Sequence, residues 1–521
     1  MTLRSISAPE LRRDRCFLAI IATAMIVLSS SAPAQNPAAA LSDQDQAYRV
    51  SMGTADRKIE AEVKAHSELM KNLEYLSDRI GPRPLGSPQM QKASEWTLQR
   101  FRDYGIDVHL ETTPVAHAWY RGTDTAEIVS PIQRAVPIHS YAWSKATGGD
   151  ISGPVVFLDD ATVEAVKRQR DQLKGAFVLL SNDIPVPPAG QPADSSFDAL
   201  LPPGSTGPQP TPLHPPQTYA DRWILNDAIA ATGAIGILTD SGKPDRLFNM
   251  GGTGPCCDPS VLPMAFITHE DYSLIARLSK SEPVRVKISL QNTFSPGPQP
   301  ASITVAEIKG SEHPEERVII GGHLDSWDLG DGALDNGAGA MATLEAARAL
   351  KSLGWKPKRT LTFILFTGEE LGGVGSKLFV KNHAAEVDKI DAVLVLDTGT
   401  GRVLDISLSN LWETAPMMNM INWPLRDAFG LKPLEARFYG GSDHVTFVRA
   451  GVPGFVCVQA PAQYREAHHS QSDTFDKVVP EEINQAAAVI ASWAWNTSEY
   501  PQSMPHHPPV AHQNFLGTAA P

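Results

Sequence analysis

Five side chains of the kinds that bind metal follow one another along the chain, His323, Asp335, Glu370, Asp397 and His469, and Glu369 stands directly before the third. One carboxylate can bridge two cations. The other four ligands then divide two to each cation, which leaves coordination positions open for water and substrate. Open positions belong to catalysis rather than to structural support. Each residue alone says little, because an isolated His or Asp is more often a satisfied core or surface residue. Their joint setting carries the reading.

That setting is a series of apolar runs that end where the ligands start. Arg317-Val318-Ile319-Ile320-Gly321-Gly322 reads as a buried strand leading into His323, residues 361–366 as another running into Thr367-Gly368-Glu369-Glu370, and residues 392–396 as a third closed by Asp397. Ligands in open α/β sheets bind beyond the carboxyl ends of the strands, so three strands would deliver imidazole or carboxylate groups to one edge. After Asp335, Asn336-Gly337-Ala338-Gly339 opens an Ala- and Leu-rich helical stretch over 340–353, stopped at Gly354. The bridging carboxylate is therefore expected at a helix N-terminus.

The strings GGHLDSW (321–327), GALDNGAGA (332–340), TGEELGGVGS (367–376), LVLDTGTG (394–401), GGSDHVTF (440–447) and HHSQSDT (468–474) resemble the ordered motifs of the zinc exopeptidase family M28. The layout over roughly residues 60 to 500 is similar to its secreted, carboxypeptidase Q-like branch. The resemblance implies a mixed central sheet flanked by helices, the α/β fold of the phosphorylase/hydrolase-like zinc exopeptidases, and two zinc ions per chain. It implies that Asp335 bridges them, that Glu370 and His469 complete one site and His323 and Asp397 the other, and that Glu369 is the general base. The family's ligand histidine precedes a Ser or Thr and stands four residues before an Asp-Thr pair, which selects His469 and leaves His468 without a role. Asp443 and His444 match a family loop near the substrate pocket, where they would orient substrate or contact an oxyanion.

Elementary chemistry supports these roles. Three carboxylate ligands leave a residual positive charge on two divalent cations, which polarises a peptide carbonyl and acidifies a bridging water. Glu369, beside a ligand but not needed as one, suits the general acid/base task. Asp325, two residues after His323, is placed to hold the imidazole tautomer.

Arg4, Arg12, Arg13 and Arg15 precede an apolar stretch over 16–28, and Ala32-Pro33-Ala34 forms a small-x-small cleavage site. Residues 1–34 thus read as a signal peptide, the apolar core falling short of the roughly 20 residues a bilayer crossing needs. A secreted or periplasmic protein is expected, with no membrane span. Cleavage would leave Cys256, Cys257 and Cys457, too few for a disulfide-dense scaffold. A vicinal disulfide, two free thiols and a longer link to Cys457 all satisfy the sequence. The net charge of -13 is spread along the chain with no basic cluster, which argues against nucleic acid.

Five segments are expected: the signal peptide; 35–122, an N-terminal segment with the first part of the peptidase domain; 123–294, a smaller β-rich α+β insert resembling a protease-associated domain, with a Pro-rich loop at 184–216; 295–500, the main peptidase part; and 501–521, a disordered Pro/His-rich tail. The reading that fits is a dizinc exopeptidase hydrolysing the N-terminal peptide bond of dipeptides or short peptides through a metal-bridging hydroxide and the Glu369 base. The alternatives are a glutamate carboxypeptidase-like C-terminal exopeptidase, for which Arg437 and Arg465 are candidate carboxylate binders, and a single-zinc glutaminyl cyclase-like acyl transferase. The expected partner is a peptide substrate, and a homodimer is left open.

Overall fold

The computed structural model describes residues 42–180, 219–254, 256–409, 411–434 and 441–509. The signal peptide, the 184–216 loop, Arg437 and the tail beyond 509 lie outside them.

A seven-stranded mixed sheet carries the site. Its spatial order is Asp107–Val115, Gln299–Ile308, Arg359–Phe366, His313–His323, Ile390–Val395, Gly454–Gln459 and Val403–Ser407. The four strands from Arg359–Phe366 to Gly454–Gln459 run parallel, and antiparallel strands close both edges. Both faces are buried, so the parallel strands read as continuous apolar runs. Leu361, Phe363, Leu365, Val318, Ile320, Ala392 and Leu394 point into one core. Ile364, Phe366, Ile319, Val393 and Val395, the alternate residues, point into the other.

The first core is roofed by helices Asp43–His66, Ala338–Ser352, Ala415–Phe429 and Pro480–Glu499; Val374–Asn382 and His444–Arg449 cover the second. Helix Pro88–Asp103 starts with Pro88 at its first position and the Ser87 hydroxyl accepting from the Met90 N–H at 3.1 Å. Helix Ala338–Ser352 lies unusually near its strand. A Cβ on Gly322 would stand 2.7 Å from the Gly339 carbonyl carbon, so this close approach requires glycine.

Residues 124–290 contribute a second, eight-stranded sheet ordered Arg134–Val136, Asp124–Ser130, Arg285–Leu290, Ile151–Leu158, Phe177–Leu180, Gly236–Asp240, Met264–Ile267 and Ile138–Ser140. It has its own apolar cores, around Phe177, Leu238 and Ile288 on one side and Val178, Ile229 and Ile237 on the other. No expected metal ligand falls in it. Cys256 and Cys257 are joined to each other, and Cys457 is a buried free thiol.

Residues 43–66 form a helix of 24 residues. One expectation needs correction. Residues 501–509, read as the start of a disordered tail, run back over the sheet: Met504 is buried, its N–H donates to the Asp391 carboxylate at 2.6 Å, and the His506 imidazole bonds to the Ile390 carbonyl at 2.9 Å. A buried carboxylate acceptor and an apolar anchor outweigh the Pro-rich composition. No helix among the described residues is long and apolar enough to cross a membrane.

Candidate metal centre

Register puts the first ligands at one edge. His323 pairs with Phe366, and Gly321 with Val395, so His323, the Glu369–Glu370 turn and Asp397 all emerge at the carboxyl ends of adjacent parallel strands. Asp335 arrives in the turn Ala333–Gly337 before helix Ala338–Ser352. His469 follows the short helix Tyr464–Ala467.

The five candidate ligands converge on the two oxygens of Asp335. Its Oδ1 lies 3.4 Å from His323 Nε2, which is 3.2 Å from Asp397 Oδ1. Its Oδ2 lies 3.4 Å from His469 Nε2, which is 3.0 Å from Glu370 Oε2. Two donors that bind one tetrahedral zinc at roughly 2.0–2.2 Å stand about 3.3–3.5 Å apart, so this spacing suits shared ions. Asp335 Oδ2 and Glu370 Oε1 are buried without a hydrogen-bond partner. The donor set therefore fits zinc.

Electrostatics agrees with a cation site. Burial drives the Glu369 carboxyl well above its ordinary range, His323 opposes this, and Asp397, Asp443 and Glu370 add to it. Burial and then Asp335 do the same to Glu370. Asp335 itself stays low: burial opposes its charge, but the hydrogen bond with His323 outweighs it. So many acidic groups in one low-dielectric pocket call for compensating cations.

His468 stacks on His469 with ring centres 3.8 Å apart and brings Nε2 within 3.8 Å of Asp335 Oδ2. By position it could replace Glu370 as a donor. Glu370 is the nearer to the His469 nitrogen, and burial followed by the His469 charge pushes His468 down to about 3, which keeps it a neutral neighbour.

The supporting bonds explain how loops so far apart in sequence meet. The Asp325 carbonyl lies 3.0 Å from His323 Nδ1, while its carboxylate accepts from the Glu369 and Glu370 N–H groups at 3.2 and 3.4 Å. Asp325 thus ties the first ligand to the candidate base. Asn336 donates to the Leu396 carbonyl at 2.8 Å and accepts from the Gly339 N–H at 2.9 Å, tying the Asp335 turn to the Asp397 strand. Asp473 accepts from the Leu334 and Asp335 N–H groups at 2.6 and 3.2 Å. Asp443 and His444 are buried at the start of helix His444–Arg449. Burial, opposed by His323, lifts Asp443 to about 7, and its charge reaches Glu369. Arg465 sits in the short helix before the histidines, where its carbonyl takes a bond from Lys243.

Several participants were not singled out from sequence. Arg83 is buried and donates to the carbonyls of Leu324, Gly81, Asp331 and Gly332 at 2.6 to 3.0 Å, bracing the loops on both sides of the centre. Burial holds the Tyr464 phenol protonated, with Asp335, Asp397 and Glu370 adding to the effect. Trp327 stands edge-on to His469 with ring centres 5.9 Å apart. Lys243 reaches in from the second sheet. Only Trp327 lies within a quoted motif; the others carry no local signature.

The family model described as peptidase family M28 matches residues 304–494. Carboxypeptidase Q of Rattus norvegicus is 30% identical over 451 residues, covering 85% of this chain and 88% of that protein. Among solved structures, a peptidase M28 precursor from Shewanella amazonensis SB2B is 27% identical with a TM-score of 0.74, covering 88% of this chain and 100% of that one. An aminopeptidase from Aneurinibacillus sp. strain AM-1, 21% identical with a TM-score of 0.61 over 87% of this chain and 98% of that one, shares the fold.

Proposed function

Because the chain belongs to peptidase family M28 and is a zinc-dependent metallo-exopeptidase, we propose that it is a secreted or periplasmic dizinc enzyme that removes the N-terminal residue from dipeptides and short peptides. The observation that carries the two-metal reading is that opposite oxygens of Asp335 face separate donor pairs, His323 with Asp397 and His469 with Glu370. Zinc ions bound there supply Lewis-acid polarisation of the scissile carbonyl and acidify water. Glu369 takes the proton of the attacking water and returns it to the leaving amine. Asp325 positions Glu369 through its N–H and His323 through its ring. Tyr464, a protonated phenol whose ring centre lies 4.9 Å from that of His468, is a hydrogen-bond donor beside the centre. Asp443 and His444 line the substrate side and orient the peptide. The apolar, Arg-led N-terminal segment supports export.

Metal analysis of the purified protein, combined with hydrolysis of dipeptides blocked at either end before and after chelation, tests this. About two zinc per chain are expected, with cleavage of N-free dipeptides lost on chelation and no cleavage of N-blocked ones. Preference for N-blocked, C-free substrates would replace the reading with a C-terminal exopeptidase, and glutamine cyclisation without hydrolysis with the cyclase. Glu369→Gln should retain both metals and lose at least about a hundredfold in kcat. Loss of zinc in that variant would show that Glu369 is a ligand.

A further inference from the structure

The ligand set does not say how the far end of a peptide is read. The second sheet offers a group that could. Lys243 stands just beyond the carboxyl end of strand Gly236–Asp240, where α/β sheets characteristically hold ligands. Its loop is fixed locally: the Gly242 N–H donates to Asp240 Oδ1 at 2.8 Å, and the Ser241 hydroxyl donates to the Leu247 carbonyl at 2.9 Å. It is also pinned to the other sheet's loops. The Met250 N–H donates to the carbonyl of His469 at 2.8 Å, and the Phe248 N–H to Gln471 Oε1 at 2.8 Å. A loop bonded to a candidate ligand's own backbone holds its side chains at a defined distance from the centre.

The Lys243 ammonium donates to the Arg465 carbonyl at 3.3 Å, and among the described residues no carboxylate forms an ion pair with it. An ammonium has three donors, so two remain for another acceptor. Its charge is felt by Asp335, His468 and His469. Burial lowers it to about 8, with Glu466 and Asp335 opposing, which leaves it largely protonated near neutral pH.

A half-buried, unpaired cation beside an acidic pocket is costly unless an anion completes it. We propose that Lys243 binds the α-carboxylate of short peptide substrates and so selects dipeptides with a free carboxyl end. The inference rests on the N-terminal exopeptidase reading.

The test compares a free-acid dipeptide with its C-terminal amide, both with free amino ends, on wild type, Lys243→Met and Lys243→Arg. Wild type should favour the acid. Lys243→Met should cut the acid-over-amide ratio of kcat/KM by about 30-fold, the size of one charge-assisted hydrogen bond, with the change carried by KM. Lys243→Arg should restore part of the ratio. A similar loss on both substrates would make Lys243 a mere anchor for Arg465 and overturn the proposal, as would an unchanged ratio. Cleavage of an N-blocked, free-acid dipeptide by wild type sinks the underlying reading instead, because an N-terminal exopeptidase requires a free amino end.

Discussion

At the scale of single residues, the candidate ligands were legible because each stands in a short motif, three of them at the end of an apolar run. The groups that hold those motifs together were not. Arg83 and Gly332 are 249 positions apart, as are Lys243 and Arg465 by 222, and nothing local marks either contact. Arg83 shows what such a residue is worth. Burial lowers its guanidinium to about 10, with the opposing charge of Asp473 the largest help, so it stays charged while serving carbonyls on three loops. In Arg83→Met those carbonyls would be buried without donors, and the Asp335 turn would lose its brace. The expected cost is at least about 3 kcal/mol in stability, read by chemical denaturation, together with weaker zinc retention against a chelator. A variant with wild-type stability and zinc content would show that water replaces the guanidinium without loss.

At the scale of elements, the parallel strands could be read because burial on both faces removes the polar residues that blur a pattern. Helix Asp43–His66 carries a weaker pattern because only a narrow stripe, Met52, Gly53, Asp56, Ile59 and Val63, is buried, and one member is an acid. Asp56 accepts from the Asn496 side chain of helix Pro480–Glu499 at 3.3 Å, and its Oδ1 has no partner. Burial raises it from 3.8 to about 7, against the help of Asn496 and Ser492. The folded chain therefore keeps a proton that the unfolded chain releases at lower pH. Asp56's contribution is fully present below about pH 4 and is lost as pH rises through about 7. Relative to Asp56→Asn, wild type should lose on the order of 2 kcal/mol between pH 5 and pH 8. Parallel denaturation curves for the two proteins across that range would refute the buried, protonated Asp56.

At the scale of the whole molecule, every candidate zinc ligand belongs to the seven-stranded sheet and its loops, while the second sheet meets the centre from outside. Their junction is polar as well as apolar. Arg121 makes a two-pronged ion pair with Asp328, at 2.6 and 2.9 Å, donates to the Ser140 carbonyl at 2.6 Å and lies over the Trp119 ring. Asp328 follows Trp327, which packs on His469, so this ion pair couples the position of the second sheet to the wall of the centre. The repeated apolar and turn signals made the second sheet legible as separate strands, but its docking depends on pairs such as these, more than 200 positions apart, and no spacing encodes them. Arg121→Ala should leave zinc content unchanged, since no ligand moves, and lower kcat/KM about tenfold as the Lys243 and Met250 loop loosens. Asp328→Ala should lower it less, because Arg121 keeps its bond to the Ser140 carbonyl, and the double variant should match Arg121→Ala, in which the ion pair is already lost. If the two single losses instead multiply in the double variant, the residues act independently, and the second sheet is held over the centre by its apolar packing around Cys257, Trp143 and Trp327.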